Sequence, residues 1–327
     1  MRYGEIPGVN KPVARVIQGS TMIGTDLNEA ESFALLDDVY ALGCSTIDTA
    51  HVYGGGESER IIGRWLEKRG LREKIVLITK GAAQSEDRRR ITPYDIAADL
   101  HDSLARLKTD YIDLYLLHRD DTNVPVESII GTLNEHMQAG RIHAIGASNW
   151  SHERIEAANA YAHENGLKPF VASSPQFSLA EPLNEPWPLC LSIGGPAGRA
   201  AREWYTQTQM PLLIWSPLAS GFFSGRFRRD NLHEFGEREW DGVVVQTYAS
   251  EENFQRFDRA NILAAAKGLD AAQIALAFVM NHPMNIFVEV GPRRSENFRT
   301  NVEASEVRLT PHEMDWLDLK TDSLLAG

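Results

Sequence analysis

The amino-acid sequence predicts an α/β fold, a (β/α)8 barrel of the TIM type with long loops at its C-terminal face. Three observations support this. Short runs rich in β-branched residues alternate with amphipathic stretches of helical length, the pattern of βα units around a parallel sheet. The strand-like runs number eight. A polar residue closes nearly every one of them, at the end where parallel barrels build their working face. No linker or composition break divides the 327 residues, so a single domain over 1–327 is preferred to two.

In chain order, strands are expected at 14–18, 44–48, 74–79, 111–117, 142–147, 170–174, 212–215 and 286–290. Helices are expected at 29–42, 57–69, 93–107, 126–139, 151–165, 198–208, 251–267 and 271–281, with a final one at 296–304. Thr92-Pro93 reads as N-cap and first helical residue, and Ser151 with Arg154 opens the helix after Trp150. Gly43, Gly70, Gly140, Gly166 and Gly268 each follow an apolar helical run, where a left-handed residue often ends a helix. The Pro-rich segment 181–196 and the Gly- and Arg-rich segment 220–245 read as long loops after strands six and seven.

Composition narrows the functional class. A chain 43% hydrophobic and 24% charged can bury a sizeable core, which excludes a disordered or collagen-like protein. A net charge of -12 disfavours nonspecific binding to nucleic acid or an anionic membrane, because both need clustered Lys and Arg; a small-molecule partner is expected instead. The N-terminal segment lacks the features of an export signal, and no apolar run reaches membrane-spanning length. Cys44 and Cys190 are expected as buried free thiols, which places the protein in a reducing cytoplasm. Oligomeric state is not legible.

The chemistry lies at the strand ends. Asp48, Lys80, His118, Ser148-Asn149, Gln176 and Ser216 each close a strand, and Gly291 closes the last. Tyr53 follows Asp48 by five residues in IDTAHVYGGGESE, close enough for the turn to bring it beside Lys80 and His118. A free phenol with a pKa of about 10 donates poorly at neutral pH, and the Lys80 ammonium is expected to lower that value. Asp48 offsets the cost of holding Lys80 in a partly dry site. His118 is positioned to orient a carbonyl, so the set forms a proton donor with an oxyanion stabiliser. Weighed singly, Tyr53 reads as an interface residue, His118 as a core histidine and Lys80 as a solvated charge; their joint occurrence favours a catalytic site. A metal site built from Asp48, His51 and His118 is disfavoured, because the paired histidines of barrel metallohydrolases are absent after the first strand. No G-x-G-x-x-G follows a strand, so a Rossmann site is not supported.

These blocks resemble the aldo-keto reductase superfamily of NAD(P)H-dependent oxidoreductases along almost the whole chain. GCSTIDTAHVYGGGESERIIGRWL is similar to the family's strand-two block and sets Asp48 and Tyr53 on catalytic positions. VLITK supplies Lys80, YIDLYLLH supplies His118, and IGASNW, SSPQF and WSPLASGFFSGR supply cofactor-facing positions. The resemblance implies that Ser148, Asn149 and Gln176 hold the nicotinamide amide, that Trp215 stacks on its ring, and that Ser216, Leu218 and Gly221 line the pyrophosphate. VGPRRSENFRTNVEA resembles the adenosine-binding segment, with Gly291, Arg293, Asn297 and Asn301 on matching positions. Arg293 or Arg294 could pair with a 2′-phosphate, which favours NADP(H) over NAD(H). The chain departs from the common pattern at Thr300, where a glutamate often contacts adenine, and at Asn297, where an arginine often lies.

The expected function is therefore NADPH-dependent reduction of an aldehyde or ketone, or the reverse oxidation of an alcohol. Met22, Ile23, Arg119, Trp187, Phe222, Phe223 and Trp240 are candidates to line the substrate pocket. The short stretch after Asp318 suggests an open pocket suited to sugar aldehydes or other small polar carbonyls. The alternative function is a nucleotide-binding sensor or regulatory subunit, resembling the channel β-subunits of the same superfamily.

Overall fold

The computed structural model describes residues 1–236 and 239–324. A short antiparallel ribbon, β1 (Tyr3–Gly4) with β2 (Val13–Ala14), precedes a closed barrel. The barrel then runs β3 (Val16–Gly19), α1 (Glu29–Ala41), β4 (Thr46–Asp48), α2 (Glu57–Arg69), β5 (Val76–Gly81), α3 (Pro93–Leu107), β6 (Ile112–Leu117) and α4 (Val126–Gln138). It continues through β7 (Ile142–Ser148), α5 (His152–Glu164), β8 (Ala172–Ser174), α6 (Arg199–Thr208) and β9 (Leu212–Trp215). After β9 come α7 (Glu239–Tyr248), α8 (Glu251–Lys267), α9 (Ala271–Met280), β10 (Ile286–Val290), α10 (Ser295–Ala304) and α11 (Pro311–Leu317). Strands β3 to β10 pair in parallel in sequence order, and β10 closes on β3 with Val288 opposite Val16. The fold is the expected (β/α)8 barrel.

Local signals account for most boundaries. Thr92 caps α3 by accepting from the Asp95 amide while the Asp95 carboxylate accepts from Thr92, a reciprocal capping box. Ser151 caps α5 through the Arg154 amide, and all five predicted helix-stop glycines adopt positive φ. The expected strand at 14–18 divides at Arg15: Val13–Ala14 belongs to the ribbon and Val16–Gly19 to the barrel. The expected loop at 220–245 is not all irregular. Short 3-10 turns at Ala219–Ser224 and Leu232–Glu234 precede α7, which begins inside that segment.

The barrel interior is a dry column built from alternate residues of the strands. Ile17, Val76, Ile78, Leu114, Leu116, Ala144, Ala172, Leu213 and Phe287 are buried together there. Ile6, from the connection between β1 and β2, and Val13 of β2 join them. The other face of each strand packs under the helices in two further clusters. Among the described residues, no single helix is long and apolar enough to cross a membrane.

Candidate active site

Strand alternation explains why distant residues meet. Side chains two apart share a face. Above the apolar column the next inward position on β5 after Ile78 is Lys80, and after Leu116 of β6 it is His118. The same step leads from Leu213 to Trp215 on β9 and from Phe287 to Glu289 on β10. The C-terminal end of the barrel therefore turns polar within one layer. Asp48 ends β4, and the turn after it carries Tyr53, held by a bond from its amide to the Ala50 carbonyl of 3.1 Å.

Lys80 is the centre of the cluster. Its Nζ donates to Asp48 Oδ1, to the Thr49 carbonyl at 3.1 Å and to the Tyr53 hydroxyl at 3.4 Å. Lys80 and Asp48 are each only 2% exposed, so the ion pair is nearly dry. Burial opposes the ammonium, but Asp48, Tyr53 and Glu289 outweigh it and hold the lysine above its ordinary pKa. His118 stands edge-on to Tyr53, ring centroids 5.9 Å apart. Burial first, then the charges of Arg119 and Lys80, hold the histidine well below its ordinary value, so the imidazole is neutral.

The expected lowering of the Tyr53 pKa is corrected by the structure. Burial pushes the phenol up to about 12; Lys80 pulls it down, but Asp48 and Glu289 add to the rise. The cation stands where it was expected, and desolvation with two nearby carboxyls outweighs it.

Glu289 escaped the sequence reading. It is buried on β10 close to Asp48, and its pKa is held well above the carboxylate range by burial first and by Asp48 second. The available signal was a lone acid in the apolar strand IFVEV, two residues after the core Phe287.

Most of the residues expected to face a cofactor lie at or just beyond the C-terminal ends of β7, β8, β9 and β10. Ser148 Oγ donates to the Ser174 carbonyl at 2.9 Å. Asn149, at φ 61°, donates to the His118 carbonyl and accepts from the Leu191 amide. Gln176 donates to Ser178 and accepts from Ser192 Oγ at 2.6 Å. Buried polar atoms of Ser174 (Oγ), Trp215 (Nε1) and His118 (Nδ1) have no protein partner. After β9, Ser216, Ala219, Ser220 and Gly221 all take positive φ, which turns successive amides to one side as an anion-binding concavity requires. Leu218 lies within that turn. Gly291, Arg293 and Asn297 are exposed at the start of α10, and Asn301 is buried in it. Arg293 donates to Asp26 Oδ2 from Nε at 2.8 Å, so in this state its guanidinium faces the turn before α1. These unpartnered groups and the turned amides fit a dinucleotide with a nicotinamide at one end.

The substrate candidates divide. Trp187 packs on Trp215 at 6.1 Å and on Trp240 at 5.5 Å between centroids, forming an aromatic wall beside the strand ends. Half-buried Met22 lies against Gly291. Arg119 spends its guanidinium on the Pro188 and His118 carbonyls and on Cys190 Sγ, and so anchors the 181–196 loop. Phe222 and Phe223 are corrected as pocket residues, since both are 1% exposed and pack in the core. Ile23 is likewise fully buried. His51 is turned to Asp102, 3.2 Å away. A cavity of about 310 Å³ lies between the 181–196 loop and the ends of β8 and β9, lined in part by Gln176, Cys190, Leu191, Ser192 and Trp215.

The chain matches the family model described as the Aldo/keto reductase family over residues 15–321. It is 28% identical to an uncharacterised oxidoreductase, YrpG, of Bacillus subtilis over 321 residues, which cover 94% of this chain and 92% of that protein. It is 27% identical to a probable aryl-alcohol dehydrogenase, AAD4, of Saccharomyces cerevisiae, covering 89% of this chain and 88% of that one. A thermostable aldo-keto reductase solved with the inhibitor epalrestat shares the fold, with a TM-score of 0.75 at 24% identity, covering 98% of this chain and 99% of that one.

Proposed function

The chain belongs to the aldo/keto reductase family, and from that premise we propose that it reduces an aldehyde or ketone with NADPH, or oxidises the alcohol in reverse, with Tyr53 as the proton donor and acceptor. It is an oxidoreductase of a family that uses nicotinamide cofactors. The observation that carries the finer reading is the nearly dry contact of Lys80 with both Asp48 and the Tyr53 hydroxyl, beside a neutral His118.

In this reading Ser148, Asn149, Gln176 and Trp215 would hold the nicotinamide, Ser216, Leu218 and Gly221 the pyrophosphate, and Gly291, Arg293, Asn297 and Asn301 the adenosine end. When bound, the reduced nicotinamide supplies hydride to the carbonyl carbon. The protein's part is to hold the carbonyl oxygen and protonate it. His118, neutral, hydrogen-bonds that oxygen and fixes its direction. Tyr53 donates its proton as charge develops there, and the phenolate left behind is stabilised by Lys80. Asp48 keeps Lys80 charged and aimed. A phenol raised to about 12 when the site is empty of substrate keeps its proton until the oxygen needs it.

The wall of Trp187, Trp215 and Trp240 supports aromatic carbonyls ahead of the small polar ones suggested by the sequence, and the aryl-alcohol relative is consistent with that choice. Two buried free cysteines support a reducing compartment.

Tyr53→Phe is the direct test. NADPH consumption against a panel of aromatic, short-chain and sugar aldehydes should fall roughly 10²–10⁴-fold, while NADPH binding followed by fluorescence is retained. Undiminished reduction by the variant would end this reading. Arg293→Ala tests the cofactor preference: KM for NADPH should rise about tenfold as a charge-assisted contact is lost, with little change for NADH. Equal changes for both cofactors would remove the 2′-phosphate from Arg293.

A further inference from the structure

Glu289 and Asp48 are two buried carboxyls close to each other, and one buried cation, Lys80, joins Asp48 to the Tyr53 hydroxyl. Asp48 spends Oδ1 on Lys80, whereas Asp48 Oδ2 and Glu289 Oε1 are buried and reached by no donor of the protein. Two carboxylates cannot face each other in a dry site when only one positive charge is at hand, so a proton must lie between them. The strands flanking Glu289 bring no competing charge, since its register partners are Ile17 on β3 and Trp215 on β9. The ionisable groups that face it are Asp48 from β4, Lys80 from β5 and Tyr53 from the turn after β4.

We propose that Glu289 is a positioning residue of the proton-transfer site: as a neutral acid it donates a hydrogen bond to Asp48, which keeps Asp48 on Lys80 and Lys80 on Tyr53. This rests on Tyr53 being the proton donor. The charges then balance, one carboxylate against one ammonium, with Tyr53 and Glu289 both neutral. If Glu289 ionises, the cluster holds two negative charges against one positive. Lys80 is drawn to the carboxylates, the phenolate becomes costlier, and Tyr53 becomes a poorer donor. Burial first, and the negative charge of Asp48 second, hold the Glu289 proton, with Lys80 opposing. The sign follows: the arrangement is intact at neutral pH and is lost as pH rises through the raised value for Glu289.

Three readouts test this in the full-length protein. Infrared difference spectra of wild type against Glu289→Gln at neutral pH should show a protonated-carboxyl band that the variant lacks; this needs no turnover. The alkaline decline of carbonyl reduction should move up by about one pH unit or more in Glu289→Gln, which keeps a neutral donor that cannot ionise. Glu289→Leu removes the donor, and its kcat should fall about tenfold below that of Glu289→Gln, with KM for the carbonyl changed far less. An unaltered carboxyl band in Glu289→Gln, or pH profiles that superimpose for wild type and both variants, overturns the proposal. If the band is lost in Glu289→Gln yet Tyr53→Phe still reduces carbonyls, Glu289 is protonated as stated and the Tyr53 reading alone fails.

Discussion

At Lys80 two demands meet. In the proposed mechanism the ammonium must be dry enough to act on Tyr53, and a dry ammonium is costly without a partner. Asp48 meets the second demand, so removing Lys80 should hurt twice. Lys80→Met is expected to lower carbonyl reduction by about 10²-fold or more, because the phenolate loses its counter-charge. It should also cost about 3–5 kcal/mol in chemical denaturation, because Asp48 is left buried without its cation. A variant of full stability would show that Asp48 takes up a proton at little cost. That Asp48, Tyr53, Lys80 and His118 would meet was legible because residue type and strand-end position agreed. Glu289 was not legible because it sits inside the last strand and not at its closing position. The Tyr53 shift was misjudged for a related reason: the sequence shows that a cation is near, but not how dry the phenol is or that a second carboxyl stands beside it.

At the scale of elements, the start of α3 couples stability to acid. Hydrogen bonding to Arg88, and then to Thr92, outweighs burial and holds the Asp95 carboxyl down to about 2. A depressed carboxyl stabilises the fold above its unfolded value of about 4 and loses that contribution as pH falls towards about 2. Asp95→Asn should lower stability at neutral pH and flatten its decline across that acid window; urea midpoints at several pH values would measure both. An unchanged acid slope would rule Asp95 out as its source. Helices with a cap and a clear apolar stripe were legible, α3 and α5 among them. Helix α7 was not, because Gly242 and the β-branched run Val243, Val244 and Val245 argue against a helix locally. Helix α11 did offer Thr310, Pro311 and Glu313 as a start signal, which the strand count had no need of. The ribbon of β1 and β2 was hidden because two-residue strands are too short to show a period.

On the scale of the whole molecule, stability rests on the barrel column. Phe287 is fully buried within it, with the Arg15 guanidinium 4.2 Å from its ring centroid. Phe287→Ala should cost about 3–5 kcal/mol, read as a lower denaturation midpoint with activity retained in the folded fraction. A loss under about 1 kcal/mol would mean that the column collapses to fill the space. The eight-strand alternation was legible at this scale because helical and strand periods differ so plainly. The closure of β10 on β3 also sets an order of events. Val16 and Val288 face each other across most of the chain, and contacts of such sequence separation form late and slowly. During synthesis on the ribosome the first barrel strand must wait, with its edge open, for the last. Glu289 arrives on that last strand, so Asp48 and Lys80 meet their third partner only when the ring shuts, and a nascent chain short of β10 has neither a sealed interior nor a finished site.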